Sequence, residues 1–290
     1  GNGKGNFSLA INRAEISDFR FELFRNDTSH RERGGIDWSA MQIFNAEIEA
    51  HDFLIAGDSI AVRLDRMAFD ERSGIHIDDV STDWLSVVSG RMRFADLHLQ
   101  SGATEINMPM LTIIGENGWD DYSDYINKVV MDITAEDSHI DFATIGYFAP
   151  QIAHWKTQLS NVELHGRGTV ADMEGRVEHV ELAEQTTAAL DFRMVGLPEV
   201  ERTRFTFDIE RLSTNIDDAM AVMTDLTGRA LPSKLQTMLA RAEQINLTGE
   251  FDGRLKAFNA EAVLSTALGA LDGRMVMANG GAKGRSSFTG

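Results

Sequence analysis

Residues 245–256 constrain the fold most strongly, because apolar residues or glycines alternate strictly there with polar or charged residues. Successive side chains of a β-strand point to opposite faces, so this stretch would have one dry and one wet face. The predicted strand is about 40 Å long, roughly twice the usual length. Its two glycines, Gly249 and Gly253, are expected to curve the wall and to leave room beside it. The fold must therefore provide a cover for the dry face.

The same alternation recurs along the chain, for example in residues 162–170, 190–195 and 204–210. Turn-forming segments such as Gly57-Asp58 separate the alternating stretches, and only four prolines are present to interrupt strand pairing. These patterns predict many half-buried strands, each with one apolar face. The positions predicted on those apolar faces are Phe19, Phe21, Leu23, Ile60, Val62, Leu64, Ile75, Ile77, Leu97, Leu99, Ile106, Met108, Val162, Leu164, Leu190, Phe192, Met194, Phe205, Phe207, Ile209, Ile245, Leu247, Gly249, Phe251, Gly253, Leu255, Met275 and Met277.

Three stretches predict short helices instead. Residues 214–226 begin with a capping residue, Thr214, and then carry early acidic residues and apolar residues at helical spacing. A second short helix is predicted for residues 232–241. Residues 138–150 also begin with a capping residue, Ser138, and end at a proline. The predicted fold is therefore mainly β, with a few short helices.

The helical stretches also indicate an internal repeat. Ser138-His-Ile-Asp corresponds to Thr214-Asn-Ile-Asp, and a glycine-containing strand follows each of them. Tandem units with one apolar sheet face stack into an elongated body. We therefore predict an N-terminal segment at residues 1–137 and repeat units at 138–213 and 214–290, which form one continuous body.

Composition excludes several classes of function. The net charge of -18 argues against nucleic acid or an anionic bilayer surface as a partner, because both would be repelled. The absence of cysteine excludes disulfides, thiolate catalysis and zinc-thiolate sites. No apolar run approaches the roughly 18 residues that a membrane span needs. The glycine-rich ends, which begin with Gly1 rather than methionine, indicate a fragment of a longer protein.

No catalytic or metal-binding pattern emerges from the sequence. It contains no phosphate-binding loop, no His-Glu-x-x-His pair and no Gly-x-Ser-x-Gly elbow. His165 and His179 occupy wet-face or turn positions, where a solvated imidazole is the simpler interpretation. The Asp-Asp pairs lack the spacing of a calcium loop. We therefore predict a protein that is not an enzyme and that holds no cofactor and no metal.

Methionine is abundant, with thirteen residues in the chain. Met108, Met110, Met194, Met275 and Met277 are predicted on or beside dry strand faces. They either fill an ordinary core or line an adaptable apolar binding surface. The choice depends on whether the apolar faces close onto one another.

The sequence resembles the periplasmic part of the TamB and AsmA-like family, large envelope proteins of Gram-negative bacteria. The matching residues are Ile245-Asn-Leu-Thr-Gly-Glu-Phe-Asp-Gly with Phe258, Leu264-Ser-Thr-Ala-Leu-Gly-Ala-Leu-Asp-Gly, the helical lead-in from Ile216-Asp217 to Pro232, and Ser73-Gly-Ile-His-Ile-Asp-Asp-Val. The resemblance implies an elongated, curved β-sheet trough, wet outside and apolar inside. The apolar-face positions given above would then line a lipid groove.

The resemblance also implies partners and a location. Phospholipid acyl chains would occupy the groove, and an outer-membrane barrel would be an assembly partner. The protein would lie in the periplasm, anchored to the inner membrane through a segment outside this chain. Its function would be phospholipid transport to the outer membrane, assembly of outer-membrane proteins, or both.

Two alternatives stay open at this stage. One is a β-rich envelope scaffold or adhesin-like module, whose dry faces pack together into a closed core. The other keeps the trough but makes it a chaperone that offers strand edges to unfolded outer-membrane barrels.

Overall fold

The computed structural model contains one antiparallel sheet of fifteen strands in which every strand pairs with its neighbours in sequence. The sheet is not closed and forms an elongated, curved trough, as predicted. The structure describes residues 7–24, 35–37, 40–148, 150–227, 230, 236–237, 244–254, 257–267, 269–277 and 287–289.

The first seven strands are β1 (Ser8–Phe24), β2 (Ala40–Ala56), β3 (Ser59–Glu71), β4 (His76–Val88), β5 (Arg91–Ser101), β6 (Thr104–Gly115) and β7 (Val129–Asp141). The remaining strands are β8 (Gln158–Gly168), β9 (Asp172–Ala183), β10 (Thr186–Val195), β11 (Arg204–Thr214), β12 (Ile245–Arg254), β13 (Ala257–Thr266), β14 (Gly269–Met277) and β15 (Ser287–Thr289). The α-helices are α1 (Tyr125–Lys128), α2 (Phe142–Ile145) and α3 (Ile216–Thr227), and 3₁₀ helices span Gly118–Asp124 and Pro150–Ile152.

The large apolar side chains do not form a closed core. Wherever the structure describes burial, no Phe, Trp or Tyr is buried, and the bulkiest fully buried side chain is that of Val129. The accessible surface is 17834 Å², whereas a compact monomer of this mass exposes about 12,000 Å². The chain therefore keeps an unusually large share of its surface in contact with solvent.

Left-handed residues kink the strands in their middle. Asp or Asn has positive φ within several strands, and register shifts occur beside most of these residues. These short polar side chains tolerate the left-handed region better than other non-glycine residues do, and the extra residue of a bulge moves the following side chains to the other face. The left-handed strand residues are Asp18, Asn45, Asp52, Asp96, Asp137 and Asn161. Alternation therefore holds within each half of such a strand but not across the bulge.

Two small apolar clusters lie near one end of the strands in the second half of the sheet. Val162, Val180 and Ala188 are buried together and are surrounded by leucines and isoleucines of neighbouring strands. Ile245 is buried against Ile216 of α3 and Leu264. Ile216 of α3 is the only helical residue in these two clusters.

The helix predictions are partly confirmed. The helix predicted at residues 214–226 exists as α3, but its capping side chain is that of Asn215, which accepts a hydrogen bond from the Asp218 amide at 2.8 Å. In the 138–150 stretch, Ser138 lies within β7, and Asp141 caps the single turn of α2. Predicting Ser138 as a cap was wrong because the strand continues to Asp141.

The helix predicted for residues 232–241 lies outside the described residues, except for two helical residues at 236–237. The short helices between β6 and β7 were not predicted from the sequence. The sheet runs without a break across the predicted unit boundaries at 137/138 and 213/214. The division into repeat units stays a prediction.

The buried Ser138 hydroxyl forms hydrogen bonds with the backbone at the bulge between β6 and β7. Ser138 is 1% exposed, and its Oγ accepts from the Asn107 amide at 3.0 Å and donates to Glu136 O at 3.0 Å. Ser138→Ala should lower the free energy of unfolding by about 1–3 kcal/mol, because it leaves a buried amide without its acceptor. Chemical denaturation measures the change. Ser265→Ala on the exposed side of β13 is the matched control, and equal effects of the two substitutions would contradict this role.

Candidate apolar groove

A row of apolar side chains and glycines crosses the sheet near the ends of its strands. Each member is paired in register with the next, and directly opposed residues of neighbouring strands point to the same face. This methionine row comprises Leu9, Ile55, Ile60, Val87, Met92, Ile113, Met131, Gly168, Met173, Met194, Phe205, Gly253 and Phe258. It runs from β1 to β13, and its register continues to position 277 of β14. No polar residue interrupts it.

A second apolar row lies two residues further along each strand. This phenylalanine row comprises Val62, Leu85, Phe94, Leu111, Ile133, Gly166, Gly175, Phe192, Phe207, Phe251 and Ala260. Its register continues to position 275. The two rows make one continuous apolar face, because they are adjacent over eleven strands.

A third row extends the apolar face over the second half of the sheet. It comprises Ala135, Leu164, Val177, Leu190, Ile209, Gly249 and Ala262. In the first half of the sheet, Leu64 pairs with Thr82, which pairs in turn with Leu97, and Leu97 pairs with Met108. Leu99 pairs with Ile106. Leu247 lies between Leu212 and Leu264. Most of the predicted lining residues are therefore brought onto one surface.

Aromatic rings line this surface in β10–β13. The ring centroids of Phe207 and Phe251 are 5.7 Å apart, and those of Phe251 and Phe258 are 4.8 Å apart, within the range of favourable aromatic contacts. Phe192 leans toward the glycines of β8 and β9, so that its Cζ would lie 2.9 Å from a Cβ placed on Gly175. The ring thus covers a part of the surface that has no side chains of its own.

Some predicted lining residues are not on the open surface. The side chains of five of them are buried, either in the two end clusters or within the first half of the sheet: Ile75, Ile77, Leu97, Val162 and Ile245. Ile75 precedes β4 and belongs to a turn. At the opposite extreme, Phe19, Phe21 and Leu23 of the edge strand β1 are exposed.

Leu255 lies outside the described residues, and Met275 and Met277 are placed by the backbone register of β14 alone. Met110 lies on the opposite, polar face, where its Sδ contacts Arg93 Nε at 3.2 Å. Placing it beside the dry face was wrong because the strand alternation changes near Pro109, between Met108 and Met110.

The expected role of Gly249 and Gly253 needs correction. A Cβ on Gly249 would lie 2.3 Å from Glu261 O, and one on Gly253 would lie 2.4 Å from Phe258 Cα. Gly253 also has φ of 147°, a conformation that other residues rarely adopt. Bulky substitutions there would displace the backbone of β13, so the expectation that these glycines leave room beside the strand is wrong. These glycines permit close approach of two strands.

No second sheet covers the apolar face in the part of the chain that the structure describes. Extensive strand contacts occur only between strands that are neighbours in the sheet, and α3 touches the sheet chiefly near β9. Phe192, Phe207 and Phe251 accordingly remain half-exposed. An apolar surface of this extent on a soluble protein marks an interaction site. The closed core that one alternative required is absent from the described residues.

The opposite face of the sheet is polar and carries several ion pairs. Arg204 makes two bonds to Asp252, at 2.8 and 2.6 Å, and Arg193 makes two to Asp172, at 3.0 and 2.8 Å. These contacts lower the pKa of both aspartates. Arg176 contacts three carboxylates of β9, β10 and β11. This face is therefore suited to contact with water.

The two histidines predicted at wet-face or turn positions lie on the polar face. His165 contacts Asp132 at 3.1 Å and His179 contacts Glu181 at 3.6 Å, both on the polar face. Among the described residues, no three His, Asp or Glu side chains are grouped as ligands would be. Within the same residues, no helix is long and apolar enough to cross a membrane.

No family model, curated protein or solved structure matches this chain. The character of the groove therefore rests on the chain's own residues.

Several groove residues were missed from the sequence. Leu85, Met92, Leu111, Ile133 and Met131 all belong to the two long rows. Alternation is present around each of them, but it extends over only four or five residues before a bulge or a turn interrupts it. The longer alternating stretches, such as residues 245–256, lie in the second half of the chain.

The hydrogen-bonded pair of His76 and Asp70 on the polar face tests the electrostatics of that face. His76 Nδ1 lies 2.6 Å from Asp70 Oδ1, and this hydrogen bond raises the pKa of His76. A raised pKa contributes stability that is fully present below the ordinary value near 6.5 and is lost as the pH rises through the folded-state pKa. Asp70→Asn should therefore lower the pKa of His76, measured by an NMR titration of the imidazole.

Asp78 supplies the matched control, because its carboxylate lies 3.3 Å from His76 Nε2 and raises the same pKa by a smaller amount. Asp78→Asn should lower the His76 pKa less than Asp70→Asn does. The reverse order would contradict the assigned pairing.

Proposed function

We propose that this chain is a non-enzymatic segment of an envelope protein that carries phospholipid acyl chains along its apolar face, as the resemblance to the TamB and AsmA-like family implies. The observation that carries the proposal is the pair of uninterrupted apolar rows across an open sheet. On this proposal the protein lies in the periplasm and is anchored outside this chain.

The energetics of acyl chains favour such a surface. Exposing an acyl chain to water costs about 0.8 kcal/mol per CH₂, so a chain of roughly 16 carbons faces a cost of about 12 kcal/mol. A lining that contacts the chain along its length removes much of this cost. Neighbouring strands are about 4.8 Å apart, so the methionine row offers a path of roughly 60 Å. A sealed pocket would hold one ligand, whereas an open row lets a chain move along it.

The chemistry of the lining supports weak discrimination among acyl chains. Its members are aliphatic, aromatic, thioether or glycine, and methionine adapts its shape easily to different ligands. Convergent polar groups that would fix a headgroup are absent from the three described rows. The polar face carries the ion pairs instead. The proposed ligand is therefore recognised through its hydrocarbon.

Assembly of outer-membrane proteins stays a prediction of the family resemblance. A closed-core scaffold, by contrast, is disfavoured by the half-exposed phenylalanines of β10–β12. Lipid transport is the function that the open face supports best.

Photo-crosslinking tests the proposal with an internal control. Phe207 and Thr206 are neighbours in β11 whose side chains lie on opposite faces, and Thr206 contacts Asp252 on the polar face. A benzophenone amino acid at position 207 should capture phospholipid in cells, and the same probe at position 206 should capture little. Mass spectrometry of the adducts distinguishes lipid from protein. Equal lipid capture at both positions, or none at 207, would refute the proposal.

A further inference from the structure

Three aromatic side chains stand next to one another at the strand ends where the methionine row lies. Trp119, Tyr122 and Tyr125 belong to the short helical segment between β6 and β7, and together they form the aromatic rim. The ring centroids of Trp119 and Tyr122 are 5.1 Å apart, and those of Tyr122 and Tyr125 are 6.1 Å apart. Trp119 is 53% exposed, whereas both tyrosines are half-buried. The aromatic rim therefore leads from the sheet into water.

The segment that carries the aromatic rim lies against the apolar face. Val129 begins β7, shares a face with Met131 and is fully buried. A Cβ on Gly115, the residue paired with Val129, would lie 2.2 Å from Gly118 O. The Tyr125 hydroxyl contacts Met131 Sδ at 3.4 Å. An acyl chain on the methionine row would therefore meet the aromatic rim at Met131.

Hydrogen bonds hold the aromatic rim in place. The Tyr122 hydroxyl donates to Gly90 O at 2.9 Å. Asp121 is 3% exposed, and its carboxylate accepts from the Asn117 amide at 2.7 Å and from the Asn117 side chain at 3.1 Å. These bonds lower the pKa of Asp121, so the carboxylate stays ionised and fixes the turn before Trp119. Rings that are already fixed lose little conformational freedom when a ligand binds.

The charge of the segment around the aromatic rim is acidic. Residues 116–128 contain four acidic residues and one basic residue. Asp120 directly follows Trp119 and is exposed, and no described residue pairs with its carboxylate. Arg91 of the neighbouring strand β5 directly precedes Met92 of the methionine row, so its side chain points to the opposite face. The aromatic rim is therefore suited to a cationic group rather than to an anionic one.

We propose that the aromatic rim binds the ammonium group of a zwitterionic phospholipid whose acyl chain lies on the apolar face. The face of an aromatic ring attracts a cation, most strongly when the ring is that of Trp, and ammonium headgroups are bound in this way. Trp and Tyr also favour the boundary between an apolar region and water. The inference rests on the proposed lipid function. The acyl chain supplies most of the affinity, and the aromatic rim adds a preference for one class of headgroup.

Competition between two lipids tests the headgroup preference. The protein is loaded from an equimolar mixture of phosphatidylethanolamine and phosphatidylglycerol with identical acyl chains, and mass spectrometry quantifies the bound lipids. Trp119→Leu keeps an apolar side chain but removes the aromatic face. The ratio of bound phosphatidylethanolamine to phosphatidylglycerol should therefore fall about threefold, whereas the total bound lipid should stay the same. The comparison of the two proteins is decisive, because the net charge of -18 disfavours the anionic lipid in both.

Trp84→Leu is the matched control. Trp84 is 37% exposed and is paired through Ala95 with Met110 of the polar face. Its ring already has a cation beside it, because the Arg63 guanidinium lies 5.9 Å from the ring centroid. This substitution should leave the lipid ratio unchanged. An unchanged ratio in Trp119→Leu, with lipid bound, would overturn the ammonium site and leave the proposed lipid function intact.

A titration with choline gives a second measurement that does not depend on acyl chains. Choline chloride should shift the indole NMR signal of Trp119 but not that of Trp84, relative to sodium chloride at the same concentration. Asp120→Asn should reduce the shift, because it removes the neighbouring negative charge. The absence of a selective shift at Trp119 would overturn the ammonium site. A shift at Trp119 in a protein that loads no lipid would support the ammonium site and contradict the proposed lipid function.

Discussion

Backbone pairing between successive strands is the interaction on which the whole structure depends. Every strand of the described sheet is hydrogen-bonded to its neighbours in sequence, and long-range strand contacts are essentially confined to these pairs. A globular domain adds a second layer that buries the apolar face of the first. Here the helices are short and lie at the strand ends, between β6 and β7, between β7 and β8, and between β11 and β12. Strand pairing therefore holds the chain in its folded arrangement, and the apolar side chains stay available for contact with another molecule.

Because strand pairing holds the sheet together, its two faces can differ in character. The polar face carries arginine-carboxylate pairs such as Arg204 with Asp252, which are exposed and contribute little stability individually. These charged side chains favour contact with water over contact with a partner that would bury them. The apolar face carries phenylalanine, methionine and glycine in registered rows, with Phe192 leaning over the glycines of β8 and β9. Because the rows cross the strands, the apolar surface is continuous along the long dimension of the sheet.

The sequence predicts the composition of each face well and its continuity poorly. Alternation in residues 245–254 and 204–210 identified half-buried strands and their apolar sides, because that property is local to each strand. Register is not local. It depends on bulges at residues such as Asp18 and Asp137, where a short polar side chain enters the left-handed region. Such a bulge moves the side chains that follow it to the other face, and the register shift near Pro109 likewise places Met108 and Met110 on opposite faces. Nor does the sequence indicate how closely Gly249 approaches the backbone of β13.

The described residues leave the apolar face uncovered, and we propose that this face accepts hydrocarbon. The methionine methyl groups report on it directly by NMR, because Met92, Met131 and Met194 lie in the methionine row and Met110 lies on the polar face. A fatty acid that carries a nitroxide on its acyl chain should broaden the first three signals and leave that of Met110 sharp. Equal broadening of all four signals, or none, would contradict an open apolar groove.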